Sequence, residues 1–346
     1  MQVNFELLIS LFFLTLVLTQ SFRYCAIAVG LVDKPCKRKT HKGSVPLVGG
    51  IVIFTALFSV SRFLNLQLDL INLYFIVSLV ILVLGSLDDK FDLSVRIRLF
   101  VQASCALFLS LGSGIYIYGV GNLFGFGIVE LGSFGIVLTV IAYIASVNSF
   151  NMIDGIDGLA GMMSLTAFLS LSWLLYHAEN DWYLLSILFI PAIIGFLIHN
   201  LFFPKLGKVF LGDAGTMFIG FSVMWFIAIC VAQEVMKPVV ALFIVAVPLM
   251  DMAAIMVRRI RKGESPFKPD RDHLHHIFER LGLSKKATLF IVSLSSGSMA
   301  VLGLLIEQYD CPEWIALLIF LTIFGIYSYT LIHIWKVLSW IRKIKL

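Results

Sequence analysis

The amino-acid sequence predicts an all-α polytopic integral membrane protein, a single multi-spanning domain over residues 1–346 with about eleven transmembrane helices. Composition is the first reason: 60% of residues are hydrophobic and 14% charged, with a mean hydropathy of +0.97, outside the range of soluble domains. Charge-free runs are the second. Stretches such as 131–153 and 159–178 are long enough to cross a bilayer as helices, which need about 20 residues. They lack the two-residue alternation of barrel strands. The third reason is where the cations fall. With the amino terminus outside, all of the 26 Lys and Arg residues except Arg62 and Lys237 lie on the cytoplasmic side, which fixes the orientation by the positive-inside rule and leaves the carboxyl terminus inside.

In chain order, spans are expected near 5–22, 44–61, 70–87, 99–112, 132–150, 159–177, 183–203, 214–233, 238–257, 287–306 and 314–335. The first reads as a retained span rather than a cleaved signal, because residues 1–18 have no basic leading segment and include Glu6. External connections are short except for 112–133, where Ile115, Tyr116, Ile117, Tyr118 and later Phe124, Gly125, Phe126, Gly127 alternate. A period of two with turn glycines predicts a small hairpin on the external face. The net charge of +5 follows mostly from topology, with anionic phosphates an added reason for the densest loop, and no nucleic-acid partner is expected. Five cysteines without a CxxC pair read as small buried hydrophobes.

The polar clusters fall in the cytoplasmic segments 33–49, 86–98, 148–158, 205–216 and 258–280, and their convergence on one membrane face predicts a single catalytic site. Asp88-Asp89 closes the third span. If the helix continues through the pair, neighbours point about 100° apart, so the two carboxylates take different jobs. The most specific segment is 148–158: carboxylates at a span boundary are costly, and Asn151, Asp154 and Asp157 with Gly155 and Gly158 read as a membrane-edge loop for a hard cation or a nucleoside. Segment 210–216 sets Asp213 between two glycines near a helix amino terminus, where N–H groups and a carboxylate together hold a metal–phosphate pair. Between Arg258 and His276, cations join His273, His275 and His276. No separated fourth ligand or cysteine is near, so phosphate suits this loop better than zinc. Lys42, Arg96 and Arg98 complete the face, while His177, His199 and His333 read as interfacial.

Asp88-Asp89, the NxxNxxDGxDG segment from Asn148, the LGDAG segment around Asp213 and the HxHH motif, in this order on one face, resemble the polyprenyl-phosphate N-acetylhexosamine-1-phosphate transferase superfamily, glycosyltransferase family 4. The likeness covers nearly the whole chain and extends to 30–35, 46–50, 248–251 and 265–267. Leu274 inside the histidine motif favours the HexNAc branch over the peptidoglycan branch, which typically has three successive histidines. The resemblance implies transfer of GlcNAc-1-phosphate from UDP-GlcNAc to undecaprenyl phosphate, with Mg²⁺ or Mn²⁺. It also implies a bacterial inner-membrane location, a cytoplasmic site and a product that feeds an envelope polysaccharide of the O-antigen or enterobacterial common antigen type.

By the same resemblance Asn151 and Asp213 ligate the metal, Asp157 contacts the uracil, and Asp154 lies beside the nucleotide. Asn148 also belongs to the substrate-binding set. Arg98 and Lys42 hold acceptor or diphosphate oxygens, and His273, His275, His276 and Arg271 hold the diphosphate and sugar. Asp88, Asp89, Asp154 and His273 form the implied catalytic set. One of the Asp88/Asp89 pair orients or deprotonates the acceptor phosphate, or acts as nucleophile through a covalent intermediate. A different UDP-HexNAc donor is the alternative within this class. A transporter is the alternative outside it, and would place its acids at the membrane midplane rather than at one face.

Overall fold

The protein is described from a computed structural model covering residues 5–34, 43–64, 66, 68–202, 207–266 and 273–333. Among these residues, nine helices are long and apolar enough to cross a membrane. They are α1 (Phe5–Val29), α3 (Ile71–Phe91), α4 (Val95–Ser113), α5 (Phe134–Ile153), α6 (Leu159–His177), α7 (Tyr183–Leu197) with the π-helical turn Ile198–Phe202 that continues it, α8 (Gly212–Ala232), α12 (Lys285–Gln308) and α13 (Glu313–Ile332).

Two of the expected spans take another form. The helix α2 (Gly49–Phe63) has only 15 residues, because Val45–Pro46 form strand β2, antiparallel to β1 (Val32–Asp33) with Val32 opposite Pro46. Segment 238–257 is not one straight helix: α9 (Pro238–Ile244) and α10 (Ala246–Arg261) meet at 84°. Pro248 gives the cause, since it has no N–H to offer the Ile244 carbonyl and its ring crowds that carbonyl. A short helix, α11 (Leu274–Arg280), precedes α12.

Helix α8 is the axis of the bundle. It is buried along nearly its whole length, with α2, α3, α5 and α6 around it. By contrast α1 and α13 turn Phe13, Val17, Leu318 and Leu321 outward, as helices bathed in lipid do. Inside, hydroxyls pair between helices: Tyr74 with Ser222 at 2.7 Å and Ser172 with Ser186 at 2.8 Å, which satisfies groups that hydrocarbon cannot.

The up-and-down order gathers the carboxyl ends of α3 and α5 and the amino ends of α4, α6 and α8 at one end of the bundle. The expected hairpin closes the other. There the Val120 N–H donates to the Val129 carbonyl at 3.0 Å, and the Leu131 N–H to the Tyr118 carbonyl at 2.8 Å. The Asn122 N–H ties the hairpin to the Glu313 carboxylate at the start of α13.

Candidate active site

The last turn of α3 sends its two carboxylates to different helices. Asp88 turns to α4: its Oδ2 accepts from Arg98 Nη1 at 2.6 Å and its Oδ1 from the Leu93 N–H at 2.8 Å. The group is buried but fully paired, which offsets a desolvation cost of several kcal/mol. Asp89 turns to α8, where its Oδ1 accepts from the Asp213 N–H at 2.9 Å and its Oδ2 from the Ala214 N–H at 3.1 Å. Sequence alone assigns these N–H groups to a metal–phosphate pair. The structure gives them to Asp89, whose carboxyl oxygens cap the first N–H groups of α8.

Backbone contact sets the position of Asp213. Segment 46–50 runs beside 210–211: the Phe210 N–H donates to the Pro46 carbonyl at 2.9 Å, the Gly49 N–H to Phe210 at 3.0 Å and the Gly50 N–H to Leu211 at 3.2 Å. A Cβ on Gly50 would stand 2.3 Å from the Gly215 Cα, and one on Gly85 2.5 Å from the Ala214 Cα. Thus α2 and α3 meet the first turn of α8 backbone to backbone, which only small residues allow. Gly212 has a φ of +75°, and Asp89 fills the space where a Cβ would sit.

Asn148 and Asn151 belong to the final turns of α5, so the expected loop is confined to 154–158. Asn151 Nδ2 donates to Asp213 Oδ1 at 2.7 Å and to Thr216 Oγ1 at 2.9 Å, binding the end of α5 to the start of α8. Asn148 Nδ2 donates to Gln102 Oε1 and to the Ile144 carbonyl, both at 2.8 Å, and so ties α5 to α4. Asp157 Oδ2 accepts from Lys208 Nζ at 2.6 Å, and the same ammonium lies 5.0 Å over the Phe210 ring. Asp154 makes no hydrogen bond or ion pair with any described residue. It is open to solvent yet has protein on most sides, and this enclosure, followed by the charges of Asp213 and Asp157, raises its pKa from 3.8 to about 7.

Asp213 and Asn151, the two expected metal ligands, stand side by side and can offer side-chain oxygens, the donor type preferred by Mg²⁺ and Mn²⁺. Among the described residues no three His, Cys, Asp or Glu side chains stand ready to hold a metal. Mg²⁺ usually takes one or two carboxylates and completes its shell with water and substrate phosphate, so this donor set fits an ion held jointly with a diphosphate.

The histidine motif is carried by α11 and the residue before it. His273 Nδ1 lies 2.8 Å from Asp251 Oδ2, and both residues are buried. His276 Nδ1 lies 3.3 Å from Glu279 Oε2, and burial lowers its pKa. Lys42 and Arg271 lie outside the described residues, as does the side chain of His275. Sequence reasoning gave no role to Asp251, Gln102, Thr216 or Lys208. For Asp251 a signal existed, since it is the one acid in the apolar stretch that opens α10.

Membrane-crossing helices that gather Asp88, Asp89, Asp154, Asp157 and Asp213 with Arg98 and Lys208 at one end define a polytopic membrane protein with a polar site at its helix termini. Glycosyl transferase family 4 matches residues 71–231, the stretch that holds all of these aspartates. Three bacterial relatives are each named undecaprenyl-phosphate alpha-N-acetylglucosaminyl 1-phosphate transferase. The one from Yersinia pestis is 39% identical over 93% of this chain and 90% of its own length. Those from Escherichia coli K12 and Haemophilus influenzae are 38% and 40% identical, over 98% and 96% of this chain and 94% of their own lengths. The chain belongs to glycosyl transferase family 4.

Proposed function

We propose that the protein transfers GlcNAc-1-phosphate from UDP-GlcNAc to undecaprenyl phosphate, at the cytoplasmic face of the bacterial inner membrane. A phosphate oxygen of the lipid attacks the sugar-bearing phosphorus of UDP-GlcNAc, the bond from that phosphorus to the bridging oxygen breaks, and UMP leaves. Undecaprenyl-diphospho-GlcNAc is the product, and an O-antigen or common-antigen type of glycan is its proposed destination. The observation that carries this reading is the interlock of Asp89, Asp213 and Asn151, three distant segments joined in one oxygen-rich centre, on a chain 38–40% identical to transferases so named.

Anionic phosphate attacking anionic diphosphate requires positive charge at the site. Arg98, held by Asp88, supplies part of it and is still partly accessible. Asn151 and Asp213 are proposed to hold Mg²⁺ or Mn²⁺, which when bound neutralises diphosphate oxygens. Asp154 and Asp157 face the nucleotide. Lys42, Arg271, His275 and His276 are proposed, on the family resemblance, to hold acceptor phosphate, diphosphate and sugar. Asp89 is proposed to keep the α8 turn and Asp213 in place.

The test is UMP release by purified protein given undecaprenyl phosphate, Mg²⁺ and either UDP-GlcNAc or UDP-GalNAc, with and without EDTA. Lipid-dependent, EDTA-sensitive UMP from UDP-GlcNAc is expected. Release from UDP-GalNAc alone would reassign the donor, and silence with both, in folded protein, would reject the transferase reading. Asp213→Asn should lose most activity and weaken the Mg²⁺ dependence; near-normal turnover at limiting Mg²⁺ would remove Asp213 from the metal site.

A further inference from the structure

Among the described residues, Asp251 is the most completely used carboxylate. It sits one and a half turns into α10 at 1% exposure, where an unpaired charge would be untenable. Three donors from two other segments converge on it. Its Oδ1 accepts from the Leu274 N–H at 3.0 Å and from the Tyr327 hydroxyl at 2.8 Å, and its Oδ2 lies 2.8 Å from His273 Nδ1. Leu274 is the first residue of α11, so the same carboxylate caps the helix that carries the histidine motif. Tyr327 comes from α13, the last span described. A small apolar cluster of Ala254, Ile277 and Leu331, with Tyr327 and Phe324 packed on it, binds α10, α11 and α13 together beside this network.

An ionised carboxylate can only accept, so the proton between Asp251 and His273 belongs to Nδ1. The imidazole is thereby fixed in ring orientation and in the state of its other nitrogen, which is how a carboxylate tunes a histidine that handles phosphate or protons. We infer that Asp251 and Tyr327 are positioning residues for the donor site: Asp251 holds His273 as the Nδ1–H form and seats the start of α11, and Tyr327 of the last span holds Asp251. This rests on the transferase reading for its kinetic readout but not for its structural one. The last span then has a task beyond crossing the membrane, as the wall against which the histidine motif is set.

Asp251→Asn is the informative change. An amide keeps an oxygen for Leu274 and Tyr327 but presents NH₂ to His273, which forces Nδ1 to accept and moves the ring proton to Nε2. A similar exchange at a carboxylate–histidine pair in serine proteases keeps geometry and loses about 10⁴-fold in turnover through the wrong tautomer. Two measurements test the inference. The first is ¹⁵N NMR of histidine-labelled full-length protein at alkaline pH, with His273→Gln to assign the resonance: wild type should show Nδ1–H at His273 and Asp251→Asn should show Nε2–H. An unchanged tautomer overturns the inference whatever the substrate is.

The second is kinetics with UDP-GlcNAc. Asp251→Asn should lower kcat/KM for the donor at least about tenfold and leave the KM for undecaprenyl phosphate within about twofold. Combined with His273→Gln it should lose little more than His273→Gln alone, because one residue acts through the other. Multiplying losses would overturn the inference. Tyr327→Phe, which removes one hydroxyl and keeps the ring, carries the same cycle if Asp251→Asn does not fold; a smaller loss, about threefold, is expected, again absent in the His273→Gln background. If wild type itself releases no UMP, the transferase reading fails while the tautomer measurement still decides the positioning role.

Discussion

The two halves of the site are held in different ways. The aspartate centre is built from helix ends pressed backbone to backbone: Gly50 and Gly85 let α2 and α3 touch the first turn of α8, and Asp89 and Asn151 stitch Asp213 to two more helix ends. The histidine arm hangs from one carboxylate, Asp251, and one tyrosine, with a small apolar cluster beside them. Close packing fixes the first half by steric contact, and a fully satisfied buried network fixes the second by directed hydrogen bonds. The difference is one of means: steric contact between backbones in the aspartate centre, and side-chain hydrogen bonds in the histidine arm.

The sharpest way to break the comparison is to add one methyl group to the sterically held half. Gly85→Ala places a Cβ 2.5 Å from the Ala214 Cα, and Gly50→Ala places one 2.3 Å from the Gly215 Cα, so the α8 turn must move. A displacement approaching 1 Å at reacting groups costs about 100-fold in rate, and a loss of that order in UMP release is expected from each. Gly297→Ala in α12, where a Cβ meets nothing within 4 Å, is the control and should leave turnover unchanged. Equal behaviour of all three in the same assay would show that backbone contact does not set the site.

A smaller effect separates the two members of the aspartate pair. If Asp89 is a cap, Asp89→Asn keeps one acceptor and gives up part of a stability contribution of about 0.5–2 kcal/mol, so the thermal midpoint should drop while turnover falls by less than about tenfold. Loss of a chemical base costs about 10²–10⁴-fold with little change in stability. A fall beyond about 10³-fold in a protein that melts like wild type would return Asp89 to the chemistry. Asp88→Asn should instead raise the KM for undecaprenyl phosphate, because it frees the Arg98 guanidinium that the carboxylate now holds at 2.6 Å.

The divergence of that pair was legible in the sequence, because an apolar run leading straight into two acids fixes their helical phase. The membrane class and the hairpin were legible for the same kind of reason, since both follow from local periodicity and charge. What stayed hidden depended on tertiary contact. Asn148 and Asn151 look like loop residues beside two Asp-Gly pairs, yet α5 runs through them because α8 receives the Asn151 amide and α4 that of Asn148. The 84° corner before α10 was signalled only by Pro248 within a continuous apolar stretch. Asp251 carried no role until the fold brought His273 and Tyr327 to it from positions 22 and 76 residues away.

Outside both halves, the partly exposed Asp157–Lys208 pair should matter little to the fold, since such pairs contribute about 0–1 kcal/mol. Lys208→Met is expected to leave the thermal midpoint in place and to change the KM for UDP-GlcNAc by less than about fivefold. A large loss of kcat would mean that Lys208 contacts the reacting phosphates and that its partner Asp157 serves to hold it there.

The titration of Asp154 is the most direct probe of how the aspartate centre is charged. Asp154 has a folded pKa of about 7 against an ordinary aspartate value of 3.8, raised by the protein that surrounds its solvent-open carboxyl and then by Asp213 and Asp157. Between these two values the folded state keeps a proton that the unfolded state has released, so stability falls as pH rises through the interval and is level above it. Asp154→Asn removes that slope. In EDTA, the variant should therefore melt at a higher temperature than wild type near neutrality and above, with the gap closing as the pH is lowered toward 4. Adding Mg²⁺ should narrow the gap at high pH, because a cation held by Asn151 and Asp213 would offset the charge of the ionised Asp154, whose carboxyl already feels that of Asp213. A gap that is constant with pH would show that Asp154 stays ionised in the folded protein and that the enclosure around it is wetter than the packing of α5, α6 and α8 implies.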